Sequence, residues 1–151
     1  PDILGMRPAF RAMGKRLAES GYAVLVVNLY YRSQEAPVVP EGATFRDPAI
    51  REQVMPLARS LSPTTAVSDG LAFAGWLDQQ EAVDSSRPLG TAGYCMTGSY
   101  TFRMAAALPD RVGAAASFHG GGLVTEREDS PHRLIDQAKA GFLVAIADND
   151  D

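Results

Sequence analysis

The stretch Gly93-Tyr94-Cys95-Met96-Thr97-Gly98 holds the only cysteine among the 151 residues. Residues 89–94 before it read as a short apolar strand. Residues 96–108 after it read as a helix that ends at Pro109-Asp110. A strand turning sharply into a helix around one nucleophile is the setting of a nucleophile elbow, in which glycines flank the reactive residue two positions away on each side. Here Gly93 takes the first of those places, Thr97 occupies the second, and the next glycine is Gly98. The geometry of such an elbow explains its composition. Strained φ/ψ at the nucleophile brings backbone against backbone, so its neighbours must be small. The helix that follows aims its N-terminus at the side chain and favours thiolate over thiol. The amide of Met96 then points at any oxyanion forming on an attacked carbonyl. The competing reading is a buried thiol acting as a small apolar residue.

Working outward, residues 10–17 place Phe10, Met13 and Leu17 at helical spacing, with Gly21 as the C-cap signal. Residues 22–30 predict a buried strand, rich in β-branched residues and nearly continuous in apolarity. Pro37, Pro40, Gly42 and Pro48 make residues 33–48 a loop. A helix is predicted over 50–61, disturbed at Pro56. Another runs from an N-cap at Thr64 or Thr65 to about Gln80, with Val67, Leu71, Ala74 and Leu77 or Trp76 facing inward. Residues 112–118 predict a strand leading into His119-Gly-Gly-Gly122. Residues 131–139 predict a helix and 142–147 a last buried strand. Strands alternating with helices imply an α/β fold, a mostly parallel sheet with helices on both faces, in a single domain over 1–151.

Composition narrows the function classes. Hydrophobic residues make up 46% and charged residues 21%, as in a globular core rather than a disordered chain. The net charge is −4 and the fourteen basic residues are dispersed, which argues against nucleic acid. The longest apolar run, 22–27, is far too short to cross a bilayer. One cysteine cannot form an internal disulfide, no Cys/His cluster has zinc spacing, and a cytoplasmic setting follows from the free thiol. The chain opens at Pro1 without methionine and stops just after an apolar run, so we expect the middle of a longer domain.

Several stretches together resemble the dienelactone hydrolase family of α/β-hydrolases. They are Asp2-Ile3-Leu4-Gly5, the run from Gly21-Tyr22 through Leu29-Tyr30, Arg51-Glu52-Gln53, and Gly93-Tyr94-Cys95-Met96. The resemblance implies that Cys95 is the nucleophile of a Cys-Asp-His triad and that the amides of Met96 and Ile3 line the oxyanion hole. Asp2 stands where the family has a glutamate contacting the resting thiol, one methylene longer. Arg51 matches an arginine that pairs with the substrate carboxylate, for which a guanidinium fork is suited. Its plainer reading is a solvated helix arginine. The triad acid would be Asp150, or secondarily Asp148, in Ala147-Asp148-Asn149-Asp150; an Asx turn at a strand end is the alternative there.

The histidine is the difficulty. In α/β-hydrolases the order is nucleophile, acid, histidine. His119 and His132 both precede Asp150, so the triad histidine is expected beyond Asp151. His119-Gly-Gly-Gly122 follows the nucleophile, whereas the HGGG oxyanion motif of lipases precedes it, so this segment reads as a crossover loop at the carboxyl edge of the sheet. His132 reads as a surface helix residue. The expected activity is hydrolysis of a small anionic enol-lactone from aromatic-ring breakdown, through a thioester and with no metal or organic cofactor. A general carboxylesterase or thioesterase of the same fold is the alternative, as is a non-catalytic binding domain with an inert Cys95.

Overall fold

A computed structural model describes residues 1–148 and Asp150. The chain packs as two compact units, Pro1–Ser62 and Pro63–Asp151.

In the first unit, helix α1 spans Pro8–Glu19 and α2 spans Pro48–Ser60. Each carries proline in its first turn, where a missing N–H costs nothing. Asp47 caps α2, its Oδ1 accepting from the Ala49 amide at 2.9 Å. Helix α1 ends as its glycine predicts. Gly21 has φ +92, its N–H donates to Ala18, and the N–H of Tyr22 donates to Leu17, a Schellman arrangement. Pro56 is tolerated inside α2.

Residues 22–30 depart from expectation. Residues 24–29 are half-buried while Tyr22 and Ala23 are exposed, and among the described residues no ladder includes the segment. A strand is defined by its hydrogen-bonded neighbour, and apolar patterning selects an extended backbone without supplying that neighbour. The segment packs against α1 instead: a Cβ on Gly14 would lie 2.6 Å from Val26 Cγ2. Tyr30 ends the run fully buried, and its hydroxyl donates to the Ile3 carbonyl at 2.9 Å.

In the second unit, α3 (Pro63–Leu77) leads to β1 (Leu89–Tyr94), then α4 (Gly98–Ala107), β2 (Val112–Phe118) and β3 (Gly141–Ala145). The strands form one parallel sheet in the order β1-β2-β3. Right at the carboxyl ends of the first two, Tyr94 is in register with Phe118, and their rings stack at 5.0 Å. Ala105 of α4 packs with Val112 and Ala115 to form the core, and Phe102 meets Phe142 at 4.8 Å.

Three expectations are corrected here. Helix α3 starts at Pro63, so Thr64 and Thr65 lie inside its first turn rather than at the N-cap position; the fixed φ of proline already suits the first helical position. Its buried residue is Asp69, and Gly70 lies against Met104 of α4, while Leu71 and Trp76 are exposed. Val67, Ala74 and Leu77 of the expected face are half-buried, and the close approach at Gly70 adds to them. Residues 131–139 form a 3-10 turn, Pro131–Gln137, instead of an α-helix. Amides at its two ends bond three residues back, Arg133 to Ser130 and Ala138 to Ile135 at 3.0 Å each, and the His132 amide donates to Leu123 in the preceding loop. Among the described residues no helix is long and apolar enough to cross a membrane.

Candidate active site

Strand β1 ends at Tyr94, and the chain reverses at once. Cys95 has φ +58, a left-handed backbone that a non-glycine residue adopts only at a cost of about 1–3 kcal/mol. A 3-10 turn, Cys95–Thr97, then runs into α4 at Gly98. The thiol is half-buried. It stands beyond the strand, ahead of the amides that open a ten-residue helix.

The spacing that differs from the usual elbow has a local explanation. Thr97 is almost completely buried, and its hydroxyl clamps the strand end. Oγ1 accepts from the Tyr94 amide at 2.7 Å and donates to the Tyr94 carbonyl at 3.0 Å. The turn thereby replaces the hydrogen bonds the strand loses as it leaves the sheet. Close approach falls on Gly93 and Gly98. A Cβ on Gly93 would lie 2.2 Å from the Thr97 carbonyl oxygen. One on Gly98 would lie 2.3 Å from Ser117 Oγ and 2.7 Å from the Gly120 Cα. The added 3-10 residue shifts the packing glycine by one position, and a threonine takes the vacated place. Thr97→Val keeps the shape and removes the clamp, leaving the partly buried Tyr94 amide without its acceptor. We expect a loss of about 1–3 kcal/mol, read from the urea unfolding midpoint.

Met96 follows in the same turn, and its carbonyl accepts from Ser99 Oγ at 3.2 Å. Asp148 and Asp150 follow β3 at the same carboxyl edge of the sheet, both exposed. The Asp150 carboxylate accepts from the Ala147 amide at 2.8 Å and its own amide donates back to Ala147. The carboxylate thus bonds back to an amide three residues earlier, which is not the Asx turn of the plainer reading, and its other oxygen lies outside this contact. Cys95 and the two aspartates therefore end the outer strands β1 and β3, with β2 between them.

Asp2, Ile3 and Arg51 belong to the first unit. Asp2 and Gly5 close a tight turn, and Gly5 has φ +73 where a Cβ would meet Val38 at 2.9 Å. The Asp2 carboxylate accepts from the Leu4 amide at 3.0 Å and pairs with the Arg7 guanidinium. Ile3 is half-buried, held from its carbonyl side by Tyr30. Arg51 lies exposed on α2, as a solvated helix arginine would.

Sequence reasoning did not single out Arg7, Ser117 or Thr97 as supports. Arg7 lies five residues from Asp2, a spacing with no helical meaning before the turn is known. Ser117 Oγ is buried beneath the start of α4 with no partner among the described residues. Burial raises the pKa of the Tyr94 phenol, so the residue before the thiol stays neutral at physiological pH. His132 is half-buried rather than a surface helix residue. Its Nδ1 lies 2.9 Å from Ser130 Oγ, which also accepts from the Thr125 amide at 2.8 Å. This histidine fastens a loop.

Comparison with known proteins agrees with the geometry. The family model described as "Dienelactone hydrolase family" matches residues 1–151. A curated protein of Rhodococcus opacus, named "Carboxymethylenebutenolidase", is 29% identical over 115 residues, covering 75% of this chain and 39% of that protein. The chain thus spans well under half the length of that relative.

Proposed function

The chain belongs to the dienelactone hydrolase family of α/β-hydrolases, and on that premise we propose that it serves a hydrolase cleaving a lactone or ester of a small anionic substrate through a thioester on Cys95. The observation that carries this reading is the left-handed Cys95 at the junction of a parallel strand and a helix. The thiolate attacks the carbonyl carbon, and the carbonyl electron pair moves onto oxygen, held by the amides of Met96 and Ile3. Collapse expels the ring oxygen and forms the thioester; in a lactone the leaving group stays tethered as the ring opens. A histidine, oriented by Asp150, then takes a proton from water, which attacks the thioester and releases the acid and the thiolate. In this fold that histidine follows the acid along the chain, hence after Asp150. Asp2 would touch the resting thiol, and Arg51 would bind the substrate carboxylate. No step calls for a metal or an organic cofactor, and a free thiol suits a cytoplasmic setting.

Acylation of Cys95 tests this reading in the complete protein. Intact mass spectrometry after mixing with an anionic enol-lactone, or with a neutral p-nitrophenyl ester, should show one acyl group mapped to Cys95. Arg51→Ala should slow acylation by the anionic lactone about tenfold, the equivalent of one charge-assisted hydrogen bond, and leave the neutral ester unaffected. Absence of any adduct on Cys95 would overturn the proposal. Equal slowing with both substrates would turn it into a general esterase.

A further inference from the structure

Two residues at the sheet edge share an unusual backbone: Cys95 with φ +58 and His119 with φ +42. They are also neighbours across the sheet. Tyr94 pairs with Phe118 in the parallel ladder, so the next residue of each strand is Cys95 on β1 and His119 on β2. Adjacent strands lie about 4.8 Å apart, which places the imidazole-bearing residue one strand spacing from the thiol-bearing one. The loop that His119 opens is held against the elbow, because Gly120 approaches Gly98 so closely that a Cβ on Gly98 would sit 2.7 Å from the Gly120 Cα. On the other side, the His119 amide donates to the Ala145 carbonyl of β3 at 2.7 Å. His119 is thus fixed between the end of the Cys95 strand and the end of the strand leading to Asp150, and its side chain is exposed. An imidazole held left-handed at this edge is costly for a residue that only joins two elements. Its place in chain order excludes it from the triad.

We propose that His119 is a specificity-determining residue, donating a ring N–H to a carboxylate or carbonyl oxygen on the acyl group carried by Cys95. This rests on Cys95 being the nucleophile, as proposed above. One strand spacing matches the two or three bonds separating the attacked carbonyl carbon from such an oxygen.

The test compares alkylation of Cys95 by iodoacetate and iodoacetamide in the complete protein, with adducts mapped by peptide mass. The two reagents differ in a carboxylate against a neutral amide beside the reacting carbon. His119→Gly removes the imidazole while relieving the positive φ. It should lower the iodoacetate-to-iodoacetamide rate ratio about fivefold, the scale of one exposed hydrogen bond to a charged group. His119→Gln, which keeps an N–H, should retain most of the parental ratio. A reactive Cys95 whose ratio is unchanged in His119→Gly, or whose two rates fall by the same factor, overturns this inference alone. A Cys95 inert to both reagents in the parent overturns the nucleophile reading as well.

Discussion

If Cys95 is the nucleophile proposed above, replacing it by glycine in the complete protein is expected to reduce kcat/KM for ester or lactone hydrolysis by about four orders of magnitude or more, the scale seen when a triad nucleophile is removed. The same change should leave folding intact and even raise stability. Cys95 holds φ +58, where glycine carries no Cβ penalty, so relief of about 1 kcal/mol is expected in the unfolding midpoint. Opposite signs in activity and stability are the diagnostic. A cysteine that merely fills space would show the reverse, a cavity cost with little effect on turnover. Cys95→Ser adds a second arm: the hydroxyl is a far poorer nucleophile without thiolate character, so hydrolysis at the parental rate would sink the mechanism.

The second large effect concerns Gly98, and it is structural. Gly98→Ala should destabilise the protein by about 2–3 kcal/mol, even though alanine is the better helix former by about 1 kcal/mol. The reason is the 2.3 Å approach of the new Cβ to Ser117 Oγ and the 2.7 Å approach to the Gly120 Cα. One neighbour is a side chain and the other is backbone, so the two can be separated. Ser117→Ala alone should be neutral or slightly stabilising, since its buried Oγ has no hydrogen-bond partner among the described residues. Combined with Gly98→Ala it should recover only part of the loss, because the Gly120 backbone remains in the way. Chemical denaturation of the four proteins gives the coupling directly. Full additivity would show that Ser117 and Gly98 do not press on one another.

Gly98 and Cys95 are linked through a single short turn. The glycine lets the first turn of α4 settle onto β2, and that contact sets where the helix begins. The start of the helix decides where its first amides lie relative to Cys95, the residue that opens the turn into it. Packing under the helix and chemistry above it are two consequences of one close approach.

How much of this was legible beforehand differs by element. Strands β1 and β2 and the elbow between them follow from a short apolar run, a change of period from 2 to 3.6, and glycines at the junction, all of which are local signals. The Schellman end of α1 at Gly21 is equally local. Residues 22–30 were read as a strand from composition that does favour extension, but pairing requires a partner that no local pattern names. On α3, Val67, Ala74 and Leu77 are half-buried as their spacing suggests, while Leu71 and Trp76 are exposed and Gly70 meets Met104, a close approach that apolar periodicity does not show. Residues 131–139 were expected as an α-helix and form a 3-10 turn over 131–137, whose amides bond three residues back, a difference in ladder that helical spacing does not resolve.

For the candidate site the division is similar. Cys95 and Met96 could be proposed from residue type and order, whereas Asp150, with Asp148 second, was proposed from the resemblance to the family. Thr97 looked like a defect in the motif and is its clamp, a role visible only once its hydroxyl is seen bonding both polar groups of Tyr94. His119 was set aside on chain order, and its adjacency to Cys95 appeared only with the register of β1 against β2.

By itself, the amino-acid order determined the class of fold, the place of the elbow and the identity of its thiol. Each of these is written in residues within a few positions of one another, where backbone sterics and side-chain period act directly. Tertiary structure alone decided which glycine bears the close contact, why a threonine can stand beside the nucleophile, and which histidine borders it. Those depend on distances between strands and helices remote in the chain, and such distances are set by packing.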